Sequence, residues 1–182
     1  MLSQPMKKAM KDVESRLISE LMKNSRRSDR ELSKALGVSQ PTISRTIKKL
    51  EKEGYIKEYA MIPDFNKLGY QILAFSSYKL TENISREDIE ETRKHLREEF
   101  KKEPLPYILG MSGMGMNADR MIVTYHEDFA SYSKFQNRIM RAPHVKMGRI
   151  DTFIVNLRDS NHFHSLTLSA LAEHILKMKK KE

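Results

Sequence analysis

The sequence predicts an α+β protein: an N-terminal winged helix-turn-helix, then a ferredoxin-like β-α-β-β-α-β domain with an additional C-terminal helix. Three observations predict it. Two short amphipathic segments meet at Gly37, each preceded by a capping residue; β-rich and helix-periodic segments alternate from residue 71 to residue 157; a last amphipathic run follows them.

The first amphipathic helix is predicted at about residues 8–24, where Val13, Leu17, Ile18 and Leu21 recur at helical spacing and Arg26 and Arg27 close the segment. Ser28-Asp29-Arg30-Glu31 then matches a capping box, in which the serine oxygen and the glutamate side chain satisfy amide donors at a helix start. Leu32, Ala35 and Leu36 form the inner face of this second helix, and Gly37 tolerates the left-handed cap that ends it. Ser39 is a good N-cap for a third helix, with Pro41 in its first turn, where a missing amide donor does little harm.

Ile43, Ile47 and Leu50 provide the buried stripe of the third helix. Projection at about 100° per residue puts Pro41, Arg45, Lys48 and Lys52 opposite that stripe, flanked by Gln40, Thr42, Ser44 and Lys49. A short helix, a glycine turn and a capped helix with a polar N-terminal half follow the helix-turn-helix plan, in which the second helix approaches base edges. After Gly54, the run Tyr55 to Ile62 has β-formers and alternating polarity, which predicts the strand or hairpin of a wing, with Lys57 placed to touch a phosphate.

Charge points the same way. The 182 residues include 33 Lys and Arg against 24 Asp and Glu, a formal net charge of +9 that favours polyanionic partners, nucleic acid ahead of an anionic membrane. Residues 1–62 hold 14 basic and 8 acidic side chains, so most of the excess sits in the first third. The absence of cysteine excludes disulfides and thiolate sites and fits a reducing cytoplasm. No run approaches the roughly 18 apolar residues of a membrane span, and Met1 to Lys11 lacks the apolar region of a signal peptide. Lys177 to Lys181 reads as a solvated helix end, where cations are favoured.

The run from Glu31 to Arg45, with Lys49-Leu50-Glu51 and Gly54-Tyr55-Ile56, resembles the winged-helix half of the Lrp/AsnC family of prokaryotic regulators. The linker Pro63-Asp64-Phe65-Asn66-Lys67-Leu68-Gly69-Tyr70 resembles that family's connection to its effector domain. The resemblance implies a ferredoxin-like second domain, a homodimer or higher even-numbered oligomer, and a small effector, such as an amino acid, received near the glycine-containing loop at Gly113 to Ala118, at an interface between dimers.

The residues from 71 onward give the same element order on their own. Gln71 to Leu80 is β-compatible; Ser85 and Asp88 cap a helix whose Ile89, Thr92, Leu96 and Phe100 face one way; Pro104 and Pro106 end it. Tyr107 to Met111 and Met121 to Tyr125 read as strands around a flexible, glycine-containing loop. Asp128 caps a helix through Phe129, Tyr132, Phe135 and Ile139, and Lys146 to Leu157 adds a strand. This is the split βαβ arrangement. A final helix from about Ser165 to Lys179 is expected to turn Leu168, Leu171, Ala172 and Ile175 inward, onto the sheet or into a dimer contact. The domain limits are therefore 1–62, a linker at 63–70, an effector and dimerisation domain at 71–157, and an extension at 158–182.

Signals for other chemistry are weak. Gly113 to Ala118 satisfies G-x-G-x-x-A, but the segment after it reads as a strand and offers no helix N-terminus to a pyrophosphate. Met111, Met114, Met116 and Met121 read as gap-fillers rather than soft-metal ligands, and the six histidines, of which only His162 and His164 are close in sequence, form no zinc pattern. No cofactor or metal is expected. Following the resemblance, Gly113, Gly115, Asn117 and Asp119 are the effector candidates: glycine for close backbone approach, an amide and a carboxylate for an ammonium group. No nucleophile elbow, P-loop or paired catalytic carboxylate is recognisable, so the protein is not expected to be an enzyme.

The DNA-binding set is Ser39, Gln40, Pro41, Thr42, Ser44, Arg45, Lys48, Lys49 and Lys57. Arg45 and Gln40 are the expected base readers, Lys48, Lys49 and Lys57 the phosphate holders, and Thr42 and Ser44 serve either role. The expected function is a cytoplasmic, homodimeric, sequence-specific transcription regulator that reads a pseudo-palindromic operator in double-stranded DNA. Its rivals are an Lrp/AsnC-like tetrapyrrole decarboxylase, in which a degraded recognition helix is expected, and an architectural DNA coater.

Overall fold

The computed structural model describes residues 10–80, 84–102, 106–144, 150–159 and 166–179. Helices α1 (Asp12–Lys23), α2 (Asp29–Leu36), α3 (Gln40–Lys52) and α6 (Ser169–Lys179) belong to one compact unit. The other unit holds β1 (Ile72–Tyr78), α4 (Arg86–Lys102), β2 (Tyr107–Gly115), β3 (Ala118–His126), α5 (Phe129–Met140) and β4 (Asp151–Asn156).

In the first unit α1 starts where Glu14 Oε2 accepts the Lys11 amide at 2.8 Å. Its Leu17 and Leu21 join Leu32, Leu36, Ile43 and Leu50 in one buried cluster, with Val13, Ile18, Val38, Ile47 and Ile56 against it. Each such side chain contributes about 1.5–3 kcal/mol through removal from water. The predicted capping box forms, with the Ser28 amide donating to Glu31 Oε2 at 2.8 Å and the Glu31 amide to Ser28 Oγ at 3.3 Å. Gly37 ends α2 at φ 71°, its amide donating to the Ser33 carbonyl at 2.9 Å.

Two expectations change in this unit. Residues 55–62 form no strand. Among the described residues no partner strand lies beside them, and the segment is held instead by amides of Tyr55 and Ile56 on the Leu50 carbonyl, Ser25 Oγ on the Ala60 carbonyl, and Tyr59 OH on Glu51 at 2.9 Å. Secondly, α6 packs along α1, so the extension at 158–182 does not form a part of its own. Ala172 is fully buried and Ser19 Oγ donates to its carbonyl at 3.0 Å, whereas Leu168 and Leu171 remain 44% and 51% exposed. The contact is made where both helices carry small residues, which turns the leucines away from it.

The second unit has the predicted β-α-β-β-α-β order. Its sheet runs β2-β3-β1-β4 with every neighbouring pair antiparallel. On one sheet face Ile122 and Tyr78 pack with Phe135 and Ile139 of α5 and Leu96 of α4. Strand alternation sends Leu73, Phe75, Val123 and Phe153 to the other face, where Phe153 is 69% exposed. The predicted linker is not a free tether, since the Phe65 ring stacks on Tyr125 at 3.8 Å and the Tyr70 amide donates to the Phe65 carbonyl. Lys8, Ser165, Lys146, Pro104, the Phe100 side chain, His162, His164, Lys180 and Lys181 lie outside the described residues.

The loop expected between β2 and β3 is a tight turn. β2 continues to Gly115 and β3 begins at Ala118, leaving Met116 and Asn117 at φ 50° and 53°. Two successive left-handed residues are what a two-residue hairpin needs to match strand twist, and asparagine tolerates that conformation.

Candidate nucleic-acid interface

The recognition surface follows from how α3 is started and which side it buries. Ser39 has extended backbone and its Oγ accepts the Thr42 amide at 3.3 Å while lying 2.8 Å from Thr42 Oγ1, so both hydroxyls belong to the cap. Ile43 and Leu50 are fully buried, which fixes the rotation of the helix. That rotation exposes Gln40, Pro41, Thr42, Arg45, Lys48 and Lys52 and leaves Ser44 partly exposed. Among the described residues Arg45, Lys48, Lys52 and Lys57 have no ion-pair partner.

The first turn of α3 has no acidic residue, whereas α2 carries Asp29 and Glu31 in its first turn. The Ser28 hydroxyl and amide hold the Glu31 carboxyl below its ordinary range. The positive end of the α2 dipole is thus met by its own acids, and that of α3 is left to whatever approaches from outside. Thr46 is withdrawn from recognition by a bond from its Oγ1 to the Thr42 carbonyl at 2.7 Å.

Lys49 differs from the other candidates. Its ammonium lies 2.5 Å from Glu14 Oε1 and 3.8 Å from Glu53, so it clamps α3 to α1. Glu14 is only 6% exposed, and the hydrogen bond from Lys49 holds its carboxyl below the ordinary value despite burial, which pushes it up. The same contact raises Lys49. Sequence reasoning missed Glu14, because 35 residues separate the partners and no local spacing links them. It also missed the clasp between Tyr59 and Glu51, in which burial first and the Glu51 hydrogen bond second push the Tyr59 hydroxyl up to about 12.

The effector candidates lie along one hairpin. Gly113 and Gly115 are in β2 with open space where a Cβ would sit, and Asn117 is in the turn. Asp119 is already engaged: Oδ1 accepts the Leu80 amide at 3.1 Å and lies 3.6 Å from Arg120. Ala118 opens a strand, so the G-x-G-x-x-A run presents no helix N-terminus. Elsewhere, His144 pairs with Asp88 at 3.6 Å and Glu91 at 3.3 Å, a solvent-facing arrangement common without a metal.

Comparisons with known proteins bear on the N-terminal domain and on the fold. The family described as winged helix-turn-helix DNA-binding matches residues 10–57. An uncharacterized HTH-type transcriptional regulator of Pyrococcus furiosus is 38% identical over 76 residues, 41% of this chain and 51% of that protein. The chain thus spans about half the length of the curated relatives it matches. A transcriptional regulator of Neisseria meningitidis, solved in complex with L-Met, superposes with a TM-score of 0.68 at 19% identity, covering 90% of this chain and 99% of that one. An AsnC family transcriptional regulator from Agrobacterium tumefaciens gives 0.67 at 20% identity, covering 89% and 99%.

Proposed function

We propose, starting from a chain whose residues 10–57 are a winged helix-turn-helix DNA-binding domain and whose fold is that of AsnC-family regulators, that it acts as a sequence-specific transcription regulator. The observation that carries this is the outward side of α3: polar, cationic, capped by Ser39, and exposed without ion-pair partners among the described residues. Arg45 offers a guanidinium fork to guanine and Gln40 a carboxamide to adenine. Lys48 and Lys57 hold phosphates; Ser39, Pro41, Thr42 and Ser44 shape the helix start against the backbone. Lys49 acts from behind, as the tie to α1.

The protein works in the cytoplasm as a homodimer. Support comes from the apolar sheet face opposite the helices, where Phe75 and Phe153 stand 6.2 Å apart and Phe153 is largely exposed. A second copy covers that face and sets two recognition helices about 34 Å apart, so the operator is pseudo-palindromic. A small effector of the amino-acid class, as in the Neisseria complex, binds near Gly113, Gly115 and Asn117 and shifts the assembly. Asp119 keeps Oδ1 on the Leu80 amide and offers Oδ2 to an ammonium group. The intact outer face of α3 disfavours a tetrapyrrole decarboxylase.

Selection of binding sites from random duplex DNA at physiological salt tests the proposal. Enrichment of one pseudo-palindromic sequence is expected. Recovery of duplexes with no shared sequence points to a DNA coater and rejects the regulator.

A further inference from the structure

We propose that α6 positions the recognition helix by way of α1, with Ala172, Ser19, Glu14 and Lys49 as the positioning residues; the inference rests on the DNA-binding reading above. At about 100° per residue, α1 has two distinct buried sides. Glu14, Leu17, Ile18 and Leu21 lie toward the core shared with α2 and α3, where Glu14 grips Lys49. Ser15 and Ser19 lie together on the other side, and although polar they are 1% and 0% exposed.

That second side is where α6 docks. Ser19 Oγ donates to the Ala172 carbonyl, and Ala172 is the one residue of α6 buried completely among those described. The contact runs along α1 with Ile175 and Leu176 partly buried beside Ala172, while Leu171 and Met178 of α6 remain 51% and 52% exposed and Ser15 satisfies its hydroxyl within α1, on the Lys11 carbonyl at 3.2 Å. The buried cluster of α1, α2 and α3 includes no α6 side chain among the described residues, so that core keeps its own packing when the α6 contact is lost.

Docking therefore adds restraint without being required for the core to fold. With α6 in place α1 is held on both sides, so the Glu14 carboxylate and through it Lys49 and α3 are fixed before DNA arrives. Released, α1 keeps its core contacts but loses one wall, and part of the ordering is left to the moment of binding, which weakens affinity without altering which bases are read.

The test uses the full chain and fluorescence anisotropy on the selected duplex and a scrambled one, at a temperature where circular dichroism shows every variant folded. Ala172→Arg, which cannot enter the contact, is expected to weaken both affinities about fivefold with their ratio unchanged. Ala172→Ser is expected to match the wild type, and in a Lys49→Met background Ala172→Arg is expected to have no further effect. Equal affinity for Ala172→Arg and wild type overturns the inference, as does an undiminished loss in the Lys49→Met background or a change in sedimentation that assigns the loss to assembly. A wild-type chain that binds neither duplex removes the DNA-binding reading itself, and one that binds both equally removes its sequence specificity; a wild type that distinguishes them, beside an indifferent Ala172→Arg, removes only the role of α6.

Discussion

The outer face of α3 and the tip of the β2–β3 hairpin both carry polar residues suited to a ligand, yet the fold treats them differently. Arg45 and Lys48 are exposed and have no ion-pair partner among the described residues, while Asp119, the one charged candidate at the hairpin, holds the Leu80 amide and neighbours Arg120. A side chain already bonded within its own chain has less capacity left for a ligand: Asp119 keeps Oδ2 for one while Oδ1 holds the Leu80 amide. Lys49 makes the same point inside α3: one helix carries exposed cations with no ion-pair partner among the described residues and one cation engaged by its own chain.

The largest expected effect sharpens the contrast within α3. Leu50→Ala should destabilise the first unit by about 2–5 kcal/mol in urea denaturation, since it opens a cavity in a fully buried cluster. Lys48→Ala should leave the same transition within about 0.5 kcal/mol of wild type. A Lys48→Ala loss comparable to that of Leu50→Ala would show that the outer face is structural after all.

At the hairpin, Asp119→Ala should lower stability by about 1 kcal/mol, because the Leu80 amide loses its acceptor. If denaturation is unchanged and binding of an amino-acid effector is abolished, Asp119 is a ligand residue and the contrast between the two regions breaks. On the DNA side, Lys48→Ala should flatten the dependence of log affinity on log salt by about one unit, with equal losses on operator and random duplex. An unchanged salt slope would remove Lys48 from the phosphate contacts.

A pH titration separates the regions. His126 is buried at the end of β3, with Nε2 at 2.8 Å from Thr124 Oγ1 and the Tyr132 and Phe135 rings beside it. Burial lowers its folded-state pKa from the ordinary 6.5, outweighing Glu127 and Asp128. The unfolded chain then binds the proton more readily, so this contribution is complete above pH 6.5 and declines as pH falls below it. Melting of the second unit should shift downward between pH 7.5 and 5.5, and His126→Phe should reduce that shift. Operator affinity measured well below melting should not follow that decline, because His126 belongs to the other unit.

Legibility followed distance along the chain. Ser28 with Glu31, Gly37 after Leu36, and Ser39 before Thr42 are read from neighbours within one turn, and each forms as expected because capping is local chemistry. Glu14 with Lys49, Ser19 with Ala172 and Leu80 with Asp119 are settled by tertiary contact, which periodicity does not record. The stretch 55–62 failed as a strand for a related reason: alternation predicts a strand only where a partner offers a ladder. In α6 the amphipathic pattern named Leu168, Leu171, Ala172 and Ile175, but the contact with α1 buries Ala172 fully and Ile175 only in part and leaves both leucines exposed.

The central claim, that the outer face of α3 reads base edges, is tested most directly by Arg45→Ala on the selected operator and on a scrambled duplex of equal length and salt. A loss of about 1–3 kcal/mol on the operator with a much smaller loss on the scrambled duplex is predicted. Equal losses on both would reduce Arg45 to a phosphate contact and contradict the account.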